Sequence, residues 1–254
     1  MPNPIDVSTH GPLSHTEAMR LQGVELDRAI GVLRSLTADE WHTPTDCPEW
    51  DVRRMYLHVL GACEAGASFK ENVHQMVGAM QHRRANGGPL EAALSGIQVR
   101  ERAALTPEQL VERLSAVAPR TVAQRTKMPS LVRRLSMKVD GPVVERWALG
   151  YLIDTIYLRD LWMHRVDLAM ATRRPVELTA DHDRIIVADV VAEWFRRHRT
   201  AFALTLSGPA GGDYFAPGPD RTAEPLELDA VEFCRVLAGR CPAPDGLLET
   251  VVPF

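Results

Sequence analysis

Residues 157–168 read YLRDLWMHRVDL and decide how the chain folds, because they place ionisable side chains on an apolar helix face. An α-helix turns by about 100° per residue, so Asp160, His164 and Asp167 fall within a wedge of roughly 60°. Ile153 occupies the same side, which indicates that this side faces the interior of a helical bundle. A carboxylate buried alone costs several kcal/mol, so such groups are usually paired, protonated or bound to a metal.

The i, i+4 spacing of Asp160 and His164 lets both side chains point at one ion. This pair is half of a site with two histidines and one carboxylate, a donor set typical of zinc and related divalent metals. The alternative is that the two side chains only hydrogen-bond to each other inside the bundle. His58 is the candidate for the third ligand, since it flanks the apolar stripe of another helix, and a core histidine bonded to a carbonyl is its alternative.

Helix signals on both sides of this segment predict that it packs among other helices. We expect the long helix to follow Gly141-Pro142 and to end near Thr172, before a proline at position 175. Amphipathic spacing or helix-start residues predict three more helices: residues 17–36, the segment that Asp51 would cap, and the segment that Thr106 would cap with Gln109 three residues later.

The character of the sequence changes after Pro175. Thr179 is a candidate cap for a helix that ends in the basic residues 196–199, and residues 202–206 alternate like a strand. Residues 208–218 are rich in glycine and proline and predict turns.

A last helix is predicted from Asp229, whose capping signal opens it, to Gly239. We therefore predict a mostly α protein, with a helical bundle over residues 1–175 and a small α/β domain over residues 176–254.

Composition excludes several classes of protein. The 254 residues carry 29 basic and 33 acidic side chains, a net charge of −4 that is typical of a globular protein and disfavours a general nucleic-acid binder. We expect no membrane span and no secretory signal, because long apolar runs and a basic leader are both missing. Four cysteines that lie far apart suit a reducing compartment, so we expect a cytoplasmic protein, and a Cys234–Cys241 bridge stays an open alternative. The oligomeric state stays open, and a monomer is compatible with the sequence.

Three patches of the sequence together resemble the mycothiol-dependent maleylpyruvate isomerase family. Residues 41–52, WHTPTDCPEWDV, followed by His58, resemble its opening motif, and residues 159–168 resemble its second motif. Leu237-x-Gly239-Arg240 is similar to its C-terminal L-x-G-R. The patches occur in the family's order and span most of the chain.

The resemblance implies a DinB-like four-helix bundle followed by a small α/β domain, and a divalent metal that is usually zinc. It assigns His58, Asp160 and His164 as the metal ligands, Asp167 as an aspartate close to the site, and Arg240 as a functional arginine. It also implies mycothiol as a thiol co-substrate, with Arg240 binding a carboxylate of the thiol or the substrate. The implied activity is isomerisation of a cis double bond by thiolate addition and elimination, or transfer of the thiol.

Two positions depart from the family pattern. The family's carboxylate ligand is glutamate, whereas Asp160 is one methylene shorter, which predicts a closer helix or a bridging water. Glu49 stands where the family usually has glycine. The resemblance makes Cys47 a loop-packing residue, since the reactive thiol comes from the co-substrate. A different class of function, a binding protein that encloses a metal or an apolar ligand without chemistry, is the alternative.

Overall fold

The computed structural model describes residues 3–140, 144–218, 226–244 and 246–254. The chain divides into two compact units. One unit is Ser14–Arg174, and the other combines Met1–Leu13 with Pro175–Phe254. The architecture is mostly α, a helical bundle followed by a C-terminal α/β region, as the sequence predicts. No helix within the described ranges has the length and apolar character that crossing a membrane requires.

The Ser14–Arg174 unit is built almost entirely from helices. Its elements in chain order are α1 (His15–Leu33), a 3-10 turn (Glu40–His42), α2 (Val52–Ala67), α3 (Phe69–Asn86), α4 (Leu90–Arg102), α5 (Pro107–Thr126), α6 (Ser130–Arg133), strands β2 (Ser136–Asp140) and β3 (Val144–Ala148), α7 (Leu149–Tyr151), a π-helical turn (Leu152–Ile156) and α8 (Tyr157–Thr172).

Helices α1, α2, α5 and α8 form the bundle, and α3 and α4 form a helical pair packed against α2. The buried apolar residues of the four bundle helices make one core that includes Leu26, Ile30, Met55, Leu60, Leu110, Leu114 and Leu161. The predicted caps of two helices are confirmed. The Asp51 side chain accepts a hydrogen bond from the backbone N–H of Arg54, and Thr106 and Gln109 form a reciprocal capping box.

The predicted start of the long helix is wrong. Gly141-Pro142 lies outside the described residues, and Val144–Ala148 is a strand that pairs antiparallel with β2, so the helical run begins only at Leu149. Cross-strand pairing therefore overrides the helical spacing of the apolar residues in this stretch. The predicted end is confirmed, because α8 stops at Thr172 and Arg173 adopts a left-handed conformation with φ of 55°.

The second unit is a small α/β structure. Its elements are β1 (Ile5–Asp6), α9 (Asp183–His198), β4 (Phe202–Ser207), β5 (Gly212–Ala216), β6 (Leu226–Asp229), α10 (Ala230–Leu237) and a 3-10 turn (Leu247–Glu249). The sheet order is β1-β5-β4-β6, with β4 and β5 antiparallel and the two outer pairs parallel. Trp194 lies at its centre, with its ring centroid 4.9 Å from that of Phe202 and 5.4 Å from that of Phe233.

Two predictions for this unit need correction. Residues 208–218 are not turns throughout, because Gly212–Ala216 pairs with β4 and buries Tyr214 and Ala216 on alternate positions. Thr179 is not the cap of α9, which begins only at Asp183. The Asp183 carboxylate instead accepts a hydrogen bond of 2.7 Å from the backbone N–H of Thr179. The last helix is confirmed, since the Asp229 side chain caps α10 and Gly239 follows it with φ of 71°.

Helices α2 and α4 approach each other closely at Gly61, because a Cβ added there would lie 2.6 Å from the Cβ of Gln98. We expect Gly61→Ala to lower the free energy of unfolding in urea by about 1–3 kcal/mol, since α4 must move to admit the methyl group. The control is Gly23→Ala in α1, where an added Cβ meets nothing within 4 Å. This variant is expected to gain about 0.5–1 kcal/mol, and equal effects of the two substitutions would contradict the close approach.

Candidate metal centre

The structure brings together the three residues that the sequence predicts as metal ligands. His58 lies on α2, whereas Asp160 and His164 lie one turn apart on α8. The ligating atoms of these three side chains all lie within 4.8 Å of one another. His164 Nε2 is 3.2 Å from Asp160 Oδ1, and His58 Nε2 is 3.8 Å from Asp160 Oδ2.

These separations fit a shared zinc ion. Bonds of about 2.0–2.1 Å in a tetrahedral arrangement put two ligand atoms about 3.3 Å apart. The carboxylate of Asp160 already spans both histidines with its two oxygens, so the shorter side chain reaches the cluster directly.

One nitrogen of His164 points to the same conclusion. His164 is buried, and its Nε2 has no hydrogen-bond partner within the described part of the chain, although Asp160 Oδ1 lies 3.2 Å away. Leaving a buried polar atom unsatisfied costs about 1–3 kcal/mol, so such an atom calls for a ligand. Its Nδ1 lies 3.3 Å from Asp167 Oδ2, which is the carboxylate–histidine arrangement that orients metal-binding imidazoles.

The electrostatics of the cluster favour a bound positive charge. Burial would raise the pKa of Asp160, but the nearby imidazoles of His164 and then of His58 outweigh it and hold that pKa well below its usual range. Burial would lower the pKa of His164, but Asp160 and Asp167 outweigh it and raise that pKa. A proton or a metal ion can meet this demand, and a metal ion that binds here must displace the His164 proton.

The π-helical turn Leu152–Ile156 changes which side chains share a helix face. A rotation of about 100° per residue places Asp160, His164 and Asp167 correctly, but it fails for the residues of the turn. A π turn inserts extra backbone, so a constant 100° per residue fails for Ile153 and the rest of Leu152–Ile156. Asp160, His164 and Asp167 all follow this turn within regular α-helix, and their common face is preserved. Nothing in the sequence signals the turn, which is typical of functional helices.

Asp167 and Cys47 extend the site on the Nδ1 side of His164. Asp167 is fully buried, and the Cys47 thiol donates to its Oδ2 over 3.6 Å. Cys47, His164 and Asp167 also lie within 4.8 Å of one another, but this second group shares His164 with the first. Cys47 thus packs in the loop before α2, and it also contacts the aspartate that orients His164.

Two aromatic rings and one side-chain amide surround His58. Its ring centroid is 5.0 Å from that of Trp50, and 5.6 Å from that of His164 in an edge-to-face arrangement. Its Nδ1 lies 2.7 Å from Oε1 of Gln98, a buried residue on α4. Nothing in the sequence points to Gln98, since a single glutamine belongs to no recognisable metal-site motif.

Arg240 lies in the other unit, where the turn after Gly239 follows α10. Its backbone N–H donates to the carbonyl of Arg235 over 2.9 Å. A role for its side chain in binding a carboxylate stays a prediction.

A protein-family model and two crystal structures match this chain. Residues 23–169 match the family model described as the mycothiol maleylpyruvate isomerase N-terminal domain. A crystal structure of the mycothiol-dependent maleylpyruvate isomerase is similar with 16% identity and a TM-score of 0.57, over 93% of this chain and 92% of that one. A histidine-to-alanine mutant of that enzyme gives 15% identity at the same coverage and TM-score. Comparison with curated protein sequences gives no significant match.

Substitution of Asp160 tests whether its carboxylate is a ligand. We expect Asp160→Asn to weaken zinc binding by more than the about 10–100-fold that loss of an outer partner costs, because the anionic donor is lost. Asp160→Glu keeps that donor and is expected to retain zinc or to bind it more tightly. Chelator competition gives the affinities, and Asp27→Asn at an exposed position of α1 is the control. Unchanged affinity in Asp160→Asn would mean that this residue is not a ligand.

Proposed function

The chain belongs to the family of the mycothiol maleylpyruvate isomerase N-terminal domain, and on that premise we propose that it is a zinc-dependent enzyme with mycothiol as its thiol co-substrate. The observation that carries the proposal is the cluster of His58, Asp160 and His164, with Nε2 of both histidines directed at one carboxylate. The Nδ1 contacts of His58 and His164 are those that orient metal ligands.

Each residue of the cluster has a defined task in this proposal. His58 and His164 supply neutral nitrogen donors, and Asp160 supplies the anionic one, which leaves a fourth position open as in catalytic zinc sites. Asp167 holds the His164 ring in place from the other side. Trp50, whose ring centroid is 6.4 Å from that of His164, places an apolar surface beside the site.

Bound zinc would supply a cationic centre that lowers the pKa of a thiol to near neutrality. For an isomerase, the thiolate of mycothiol adds to a cis double bond conjugated with a carbonyl, and the carbon–carbon bond becomes single. Rotation about it, followed by loss of the same thiolate, delivers the trans product with no net change in atoms. For a thiol S-transferase, the adduct is released instead.

The remaining parts of the proposal concern the substrate and the compartment. We propose that Arg240 binds a carboxylate of mycothiol or of the substrate, a task for which guanidinium is well suited. We propose a reducing cytoplasm as the compartment, and none of the four cysteines, all within the described residues, forms a disulfide. The other candidate, a protein that binds a metal or an apolar ligand without chemistry, is separated from the enzyme by the experiments below.

Elemental analysis of purified protein tests the metal. We expect about one zinc per chain after purification without chelators, since such sites bind far below micromolar concentration. His58→Ala is expected to lose most of it. The control is His74→Ala on α3, whose imidazole is exposed and pairs with Glu101, and which is expected to keep the metal. Wild-type protein with less than about 0.1 equivalent after zinc is added back would refute the metal-dependent enzyme.

Calorimetry tests the co-substrate. We expect mycothiol to bind the zinc-loaded protein with release of a proton, so the heat varies with the ionisation enthalpy of the buffer. The S-methyl ether of mycothiol cannot form a thiolate and is expected to bind much more weakly. Arg240→Ala is expected to weaken mycothiol binding while the zinc content is unchanged. Equal binding of thiol and ether to metal-free protein would instead support a non-catalytic binding protein.

A further inference from the structure

Two buried glutamines connect His58 to the interior of the α3–α4 pair. Gln98 Oε1 lies 2.7 Å from His58 Nδ1, and Gln98 Nε2 donates to Gln75 Oε1 over 2.9 Å. Gln75 Nε2 donates in turn to the carbonyl of Gly61 over 3.0 Å and to Glu71 Oε1 over 2.8 Å. Both glutamines are almost completely buried, so water does not compete for these hydrogen bonds.

The far end of this chain of contacts fixes the orientation of both amides. The Gly61 carbonyl can only accept, and Glu71 is held as a carboxylate because Gln75 and the Arg102 guanidinium, 2.7 Å away, lower its pKa against the effect of burial. A flipped Gln75 would place its oxygen against these two acceptors. Its amide nitrogen must therefore face them, and its oxygen must face Gln98.

The orientation of Gln75 fixes that of Gln98, and Gln98 in turn fixes the position of the proton on the His58 imidazole. Gln98 must direct its amide nitrogen at the Gln75 oxygen, since two oxygens 2.9 Å apart would repel each other. Its own oxygen therefore faces His58 Nδ1, which has to donate. A neutral imidazole carries one proton, so Nε2 is left with its lone pair directed at Asp160.

The close approach at Gly61 makes this arrangement possible. A side chain at position 61 would collide with Gln98, and only glycine lets α4 come near enough for Gln98 to reach His58. Arg102 adds a second anchor, because its guanidinium donates to the backbone carbonyl of Gln98 over 3.2 Å and to Glu64 over 2.7 Å. The ion pairs of Arg102 with Glu64 and Glu71 thus hold the two amides in position to contact the imidazole.

We propose that Gln75 and Gln98 are positioning residues that form a one-way hydrogen-bond relay and hold His58 in the Nδ1–H tautomer, with Nε2 free for a ligand. Free neutral histidine favours the opposite tautomer, so the relay reverses an intrinsic preference. The inference rests on the proposed function only for the identity of the ligand at Nε2. The tautomer itself is a property of the metal-free protein.

Nitrogen NMR of histidine-labelled, metal-free protein tests the relay at alkaline pH, where neutral imidazole tautomers have distinct shifts. The signal of His58 is the one missing from His58→Ala. We expect the Nδ1–H tautomer in the wild type and a mixture of tautomers in Gln75→Leu, because Gln98 is then free to turn over. Gln81→Leu, at an exposed position on the same helix, is the control and is expected to change nothing.

A pair of substitutions at position 98 separates positioning from packing. Gln98→Glu keeps an oxygen that can accept from Nδ1, so it is expected to retain the Nδ1–H tautomer and near-normal zinc affinity. Gln98→Met keeps the volume but not the acceptor, so it is expected to lose the tautomer and to weaken zinc binding by about 10–100-fold. A purely structural role predicts the reverse order, since a buried carboxylate is worse tolerated than methionine.

Outcomes for the relay and for the proposed function are distinguishable. Wild-type protein with mainly Nε2–H at His58, or Gln75→Leu with an unchanged tautomer, would overturn the relay whatever the protein binds. A wild type that shows the expected tautomer but takes up no zinc would refute the metal enzyme and leave the relay standing. If Gln98→Met does not fold, Gln75→Leu and Gln98→Glu still decide the question.

Discussion

A half-buried carboxylate held between two histidines of a helical bundle is the interaction on which the rest of the structure depends. Asp160 contacts the Nε2 atoms of His58 and His164 at 3.8 and 3.2 Å. A charge removed from water is tolerated only when it is paired, since leaving it unpaired costs several kcal/mol. Each histidine accordingly has a partner on its far side, Gln98 for one and Asp167 for the other.

The need to pair these polar groups also determines how the helices around the cluster are positioned. Gln98 reaches His58 because α4 lies against α2 at Gly61, and the amides are held by the Glu71–Arg102 ion pair between α3 and α4. On the other side of the bundle, Arg165 of α8 makes a two-pronged ion pair with the buried Glu25 of α1, at 2.7 and 2.9 Å. The amide contacts fix the position of α4 against α2, and the Arg165–Glu25 ion pair fixes α8 against α1. Such directional contacts constrain the geometry of the helices more tightly than apolar packing does.

The short side chain of Asp160 affects how these constraints are met. The shorter side chain lies within 3.2 Å of one histidine and 3.8 Å of the other, so the cluster is compact rather than incomplete. A compact site with two oriented imidazoles needs little rearrangement on binding an ion, which is the preorganisation that a functional site requires. Outside the cluster, the Trp50 ring lies beside both histidines, with its centroid 5.0 Å from that of His58 and 6.4 Å from that of His164.

The sequence alone determined the elements whose information is local. The faces of α8, the caps at Asp51 and Thr106 and the stop after Thr172 all depend on residues within about one or two helical turns of each other, and they were predicted. The family motifs also pointed to His58, although it is about 100 residues from its partners in the chain.

Only the tertiary structure decided the features that depend on distant contacts. Strand β3 replaced the first part of the predicted helix because β2 is there to pair with it, and β5 formed within a glycine-rich stretch because β4 lies beside it. The π turn before α8, and the glutamines Gln75 and Gln98 behind His58, left no trace in the sequence. A glutamine acquires a defined donor and acceptor direction only from its neighbours in space, and those neighbours are set by how the helices pack.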